Sequence, residues 1–168
     1  MTAPDGSSVH ASAVLVGDRA VLIRGPSGSG KSRLAFDLIL AGRAGQIPAA
    51  TLVGDDRIFL EAAQGQLVVR PARELAGLIE IRGLGIRRCD FAEQGVVGLV
   101  VDLSAADAER MPAPDALFAS IDGVIIPRIP VDSAFQPLPL VVAALTTRPS
   151  DDCSKGIGNH ISPTIATQ

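Results

Sequence analysis

The chain contains no tryptophan, no tyrosine and only five phenylalanines in 168 residues. So few rings argue against a base-stacking sheet face of the kind that binds single-stranded nucleic acid. A dominant charge is missing too. Fifteen basic residues against 18 acidic ones leave a net charge of −3, which gives no global electrostatic reason to bind nucleic acid. Long apolar runs are absent. The longest stretch without a formal charge, Ser133 to Thr147, has 15 residues and contains Pro137 and Pro139, whereas a membrane-spanning helix takes about 20 apolar residues. The opening Met1-Thr2-Ala3-Pro4-Asp5-Gly6 has neither the basic start nor the apolar core of a signal peptide. Cysteine is scarce as well. Cys89 and Cys153 stand 64 residues apart, form no CxxC and have no His or Cys at zinc-ligand spacing. A cytoplasmic protein with reduced thiols is expected, with no membrane or nucleic-acid partner.

Against those absences, 47% of the residues are apolar, enough to build a core. The length suits one domain, expected over residues 1–148, with 149–168 a flexible tail rich in Asp, Ser, Gly and Thr. Val9–Val16 and Ala20–Ile23 read as a hairpin across Gly17-Asp18-Arg19. Leu34, Ala35, Leu38 and Ile39 fall at helical spacing between Ser32 and Leu40, with Gly42 as a candidate C-cap. Ala49–Val53 reads as a buried strand, and Arg57–Ala62 with Gln66–Val69 as a second hairpin. Leu78–Ile81, Val96–Val101 and Val124–Ile126 are further strand candidates, and Pro137–Leu145 a helix. Helices set among several hairpins predict an α/β fold with a mixed, hairpin-rich central sheet.

The most specific motif is Gly25-Pro26-Ser27-Gly28-Ser29-Gly30-Lys31-Ser32, which matches G-x-x-x-x-G-K-[ST] throughout and lies between a predicted strand and a predicted helix. Successive N–H groups of such a loop form an anion nest, and the helix N-terminus adds about half a positive charge. Lys31 is placed to reach the β- and γ-phosphates of a nucleoside triphosphate, and the Ser32 hydroxyl to ligate Mg²⁺. Carboxylates near the γ-phosphate are then needed. Asp55-Asp56 and Asp102 each end a strand candidate, and spacing alone leaves either as the acid that holds Mg²⁺. Adjacent like charges call for a cation or a proton, and one of them can act as a base. Glu80 and Arg82 lie two apart, on one face of an extended strand, before Gly83 and Gly85.

In order along the chain stand His10, the phosphate loop, Asp55-Asp56, the segment Ile79-Glu80-Ile81-Arg82-Gly83-Leu84-Gly85-Ile86, and Pro127-Arg128-Ile129-Pro130-Val131. This series resembles the catalytic domain of HPr kinase/phosphorylase, in its short alphaproteobacterial-type form, over about Val9 to Leu145. The resemblance implies a P-loop kinase of the phosphoenolpyruvate carboxykinase-like fold. It implies ATP and Mg²⁺ as cofactors, and the phosphocarrier protein HPr as substrate within the phosphotransferase system. It also implies a hexamer. Residue by residue, it implies that Gly25–Ser32 hold the phosphates and that Ser32 and Glu80 bind Mg²⁺. Asp56 is implied as the proton acceptor for the substrate serine, with His10 beside it and Arg110 where the family has a catalytic arginine. Asp55, Arg82, Gly83 and Gly85 belong to the implied active-site segments. Pro26 stands where the family has an acid. Asp132-Ser133-Ala134-Phe135-Gln136-Pro137 stands where it has a basic loop, which speaks against phosphorolysis. The scarcity of rings predicts that affinity comes mainly from phosphates and Mg²⁺, with weak discrimination between ATP and GTP.

Overall fold

The computed structural model describes residues 6–150. Its strands, in chain order, are β1 (Ser7–Val9), β2 (Ser12–Val16), β3 (Arg19–Arg24), β4 (Ala50–Gly54), β5 (Ile58–Ala63), β6 (Gln66–Pro71), β7 (Leu78–Ile81), β8 (Gly85–Arg88), β9 (Gly95–Leu103), β10 (Phe118–Ile121) and β11 (Val124–Val131). The helices are α1 (Lys31–Arg43) and α2 (Pro137–Thr146). Nine strands form one mixed sheet: seven in the order β1-β5-β6-β9-β3-β2-β4, with β11 branching from β9 and β10 pairing with β11. The strand β9 is its pivot. It runs parallel to β3 on one side, while on the other its first residues pair antiparallel with β6 and its last residues pair parallel with β11. The expected α/β class and mixed, hairpin-rich sheet are therefore present.

Alternation along β3 and β9, reset by a register shift between the Ala20–Val97 and Val21–Leu99 pairs, sorts the core into two layers. Val21, Ile23, Leu99, Val101 and Leu103 pack with Leu34, Leu38 and Ile39 of α1 and with Val141 of α2. Ala20, Leu22, Val97 and Val100 pack on the other face with Ile58, Leu67, Val69 and Ile126. The hairpin β7–β8 stands outside the main sheet and is anchored to the helix-side core by Ile79, only 2% exposed.

Several expectations change. The run Val9–Val16 is broken at His10-Ala11, because β1 pairs with β5 whereas β2 pairs with β3 and β4. Two sheet neighbours in different directions force a kink there. The helix α1 runs past Gly42, and its C-cap is Ala44. Gly42 is a packing glycine instead: a Cβ there would lie 2.7 Å from the Ala50 backbone nitrogen, so only glycine lets β4 lie this close to the helix. The strands β8 and β10 carry no pattern that announces them. All four residues of β8 are exposed, so it is held by its ladder with β7 alone. The tail expected at 149–168 lies, from residue 151 onward, outside the described residues.

Candidate active site

The tight turn from β3 into α1 carries the glycine-rich loop. A Cβ on Gly25 would meet Ser29 Oγ at 2.6 Å and Leu103 Cβ at 3.0 Å, so the loop can fold over the end of β9 only with glycine at this position. Gly30, with φ 97°, caps α1, whose first N–H groups have no side-chain cap and are free to receive an anion. Lys31 is buried, and its Nζ donates to the carbonyls of Gly25 (2.9 Å) and Pro26 (3.0 Å). Those bonds satisfy an ammonium that would otherwise be costly to bury and hold it against the loop. Ser29 Oγ is the one buried side-chain polar atom among the described residues with no hydrogen-bond partner.

The two adjacent aspartates at the end of β4 have opposite environments. Asp55 is 3% exposed and serves as a hub. Its carboxylate accepts from Ser12 Oγ (2.5 Å), from Ser32 Oγ (2.8 Å to each oxygen) and from the Glu80 backbone N–H (3.1 Å). One side chain thus ties β2, the first turn of α1 and β7 together. Asp56 turns outward. Its φ is 67°, in the left-handed region that Asp tolerates better than most residues and that recurs at functional sites. His10 Nε2–H donates to its Oδ1 at 2.7 Å, and both side chains are more than half exposed. His10 reaches it from the kink between β1 and β2.

These groups converge on a cavity of about 700 Å³, within the size range of small-molecule sites. Grouped by element, its lining is the phosphate loop from Ser27 to Ser32, taken as the floor; Asp56, His10 and Ser12 as one wall; Glu80, Ile81 and Arg82 as a second; and Phe36 with Phe135 to Leu138, together with Arg33, Leu34 and Asp37 of α1, as a third. Gly83 and Gly85, both with positive φ, turn the chain from β7 into β8 beside Arg82. Of the residues singled out in the sequence, Gly25, Pro26, Asp55, Gly83 and Gly85 adjoin the lining without forming it, whereas Asp102 and Arg110 stand apart, Arg110 exposed on the connection after β9. Ser12 went unforeseen, since nothing in His10-Ala11-Ser12 marks a serine that is fully buried against a carboxylate.

Asp102, left open above as a metal-holding acid, is committed elsewhere. It lies next to Arg24 in the β3–β9 register, on the face away from α1. Arg24 Nε and Nη2 donate to its two oxygens at 2.7 and 2.8 Å. Arg128 of β11 also donates to it, and binds Asp107 and the Ala116 carbonyl as well. Burial pushes the Asp102 carboxyl up, but the hydrogen bonds and charges of Arg24 and Arg128 outweigh it, and the net direction is down. The Arg128 guanidinium is raised by its bond to Asp107 and then by Asp102, against burial.

A carboxyl whose folded pKa lies below its unfolded value adds stability above the unfolded pKa, and loses it as pH falls through the folded one. Asp102→Asn is expected to cost about 2 kcal/mol at pH 7, less than a fully buried pair because Arg24 is partly exposed. The deficit should shrink as pH drops below about 4, where the wild type loses the same charge. Melting curves of both proteins between pH 7 and 2 test this, and a gap that does not change with pH would count against it.

The donor chemistry of the cavity fits a magnesium ion held mainly by phosphates. Ser32 Oγ, Asp55 and Glu80 supply hard oxygens, and Mg²⁺ at phosphate sites takes only one or two carboxylates. Among the described residues no group of three or more His, Cys, Asp or Glu is gathered as a free-standing metal site. No helix of the described residues is long and apolar enough to cross a membrane.

Comparison with known proteins points the same way. The family model described as HPr Serine kinase C-terminal domain matches residues 3–132. The HPr kinase/phosphorylase of Enterococcus faecalis is 37% identical over 139 residues, covering 74% of this chain and 42% of that protein. That of Streptococcus thermophilus is 42% identical over 81 residues, covering 48% of this chain and 24% of that protein. The chain thus spans less than half the length of these curated relatives. Among solved structures, the HPr(Ser) kinase/phosphatase of Coxiella burnetii superposes with a TM-score of 0.64 at 28% identity, over 83% of this chain and 93% of that one.

Proposed function

Because the chain belongs to the HPr serine kinase C-terminal domain family, we propose that it is an ATP-dependent protein-serine kinase whose acceptor is a serine of the phosphocarrier protein HPr, acting in the cytoplasm on the phosphotransferase system. The observation that carries this reading is the outward-turned Asp56, held by His10 at the rim of the cavity floored by the phosphate loop. The serine hydroxyl docks against Asp56, which accepts its proton as the oxygen attacks the γ-phosphorus and the bond to the β,γ-bridging oxygen breaks, releasing ADP. His10 orients the carboxylate through Nε2. Lys31 and the loop N–H groups bind the phosphates and stabilise the charge of the transferring group. Magnesium, when bound through Ser32, Asp55 or Glu80, would supply neutralising charge on the phosphate oxygens. Arg82 faces the same cavity and is suited to bind a phosphate oxygen of the seryl product. Arg110 keeps a role in this scheme only if a partner carries it to the cavity.

The test is incubation of purified chain and HPr with labelled ATP, followed by intact mass. One phosphoryl group on HPr is expected, lost when the acceptor serine is replaced by alanine. No transfer by the wild-type chain would overturn the reading.

A further inference from the structure

The third wall of the cavity has no task in the scheme above. It holds the cavity's aromatic side chains, among the polar Arg33, Asp37 and Gln136. Phe36 and Leu138 are half-buried there, packed against the helix-side core, and Phe135 lines the same cavity with 68% of its surface exposed. That ring is not on a loose loop. Phe135 N–H donates to the Asp132 carbonyl at 3.1 Å and Ala134 N–H to Asp132 Oδ1 at 2.7 Å. A closed turn therefore holds the Phe135 backbone in place beside the phosphate cavity, just before α2 begins at Pro137.

A triphosphate seated in the glycine loop must direct its nucleoside toward one of three walls. The Asp56–His10 wall has to stay open for the acceptor hydroxyl. The β7–β8 wall presents Glu80 and Arg82, charged groups that a flat heterocycle would have to desolvate. The remaining wall has Arg33, Asp37 and Gln136 too, but it alone carries aromatic rings, a π-face to which any nucleobase can stack.

We propose that Phe135 is the stacking platform for the nucleobase of the bound triphosphate, with Phe36 and Leu138 as the apolar surface of the same wall. The proposal rests on the nucleotide-binding reading above and adds to it the position of the base. It revises what the scarcity of rings suggested: two of the five phenylalanines sit where a base would lie. One face of stacking reads no base edge, so ATP and GTP should remain poorly distinguished, while purines outrank pyrimidines and all outrank a bare triphosphate.

Calorimetric titration with ATP, GTP, CTP and inorganic triphosphate, each with Mg²⁺, tests this. In Phe135→Ala, ATP and GTP affinity should fall roughly tenfold or more, with inorganic triphosphate unchanged within about twofold. Phe135→Trp should keep ATP affinity, and as the sole tryptophan of the chain its emission should be quenched by ATP and not by inorganic triphosphate. A loss for ATP below about twofold in Phe135→Ala overturns the proposal. So does an equal loss for ATP and inorganic triphosphate, which would place the effect on the phosphates. Wild-type chain that binds neither ligand would overturn the nucleotide-binding reading itself, and this inference with it.

Discussion

Asp56→Asn is expected to slow phosphoryl transfer to HPr by about 10³-fold, within the span of general-base effects, while ATP affinity stays within about twofold. The two readouts separate because of where Asp56 sits. Its side chain is mostly exposed, and its hydrogen bond goes to His10 and not to the phosphate loop. The change is also conservative in backbone terms. Asn accepts the left-handed φ of 67° as readily as Asp does, and its amide oxygen can still receive the His10 Nε2–H. What is lost is the ability to take a proton. His10→Ala should have a smaller effect, about tenfold, because it removes the group that orients the carboxylate and leaves the carboxylate itself. Single-turnover transfer from labelled ATP, alongside equilibrium nucleotide binding, measures both quantities. Full activity in Asp56→Asn would move the proton acceptor to another residue.

How much of this site was visible in the sequence depends on how local each feature is. The phosphate loop was legible in full, because its function lies in backbone N–H groups whose geometry is set by eight consecutive residues, Gly25–Ser32. The pair Asp55-Asp56 was legible as a pair, but the division between them was not. One carboxylate is buried against Ser12, Ser32 and the Glu80 N–H and the other faces solvent, and that depends on strands 40 residues apart meeting at the end of β4. The fate of Asp102 was equally out of reach, since two arginines 104 positions apart, Arg24 and Arg128, close on it only through the register of β3, β9 and β11. The helix extends past Gly42 for a related reason. The glycine looks like a stop signal in one dimension, and in three it makes room for Ala50. Strand β8 has four exposed residues and no burial pattern to read. Periodicity reports burial, so an element held only by its ladder leaves no trace.

The largest combined effect is expected at the buried aspartate. Asp55→Asn should lower stability by about 3 kcal/mol and transfer activity by at least 10²-fold, even well below its melting temperature. All three of its partners in the structure donate: the Ser12 hydroxyl, the Ser32 hydroxyl and the Glu80 N–H. A carboxylate has lone pairs for all of them. An asparagine replaces one acceptor with an NH₂, which must face a donor at under 3.2 Å in a site only 3% exposed. With its oxygen on the Glu80 N–H, the NH₂ meets the Ser12 hydroxyl, and the fully buried Ser12 O–H loses the acceptor it uses in the structure; with the amide turned the other way the Glu80 N–H loses its acceptor, so at least one buried donor is left unpaired in either orientation. For a domain of this size about 3 kcal/mol corresponds to a fall in melting temperature of roughly 10 °C. Activity should drop separately, because the same carboxylate fixes the Ser32 hydroxyl and ties β7, and with it Glu80, to the first turn of α1. The contrast with Asp56→Asn carries the test. The outer substitution should leave the melting temperature within about 2 °C and slow the chemistry by about 10³-fold, whereas the inner one should lower both stability and rate. If Asp55→Asn melts like the wild type, Asp55 is not the hub that joins the phosphate loop to β7. If it melts low yet transfers at the full rate when folded, its role is confined to stability, and the Ser32 hydroxyl finds its position without it.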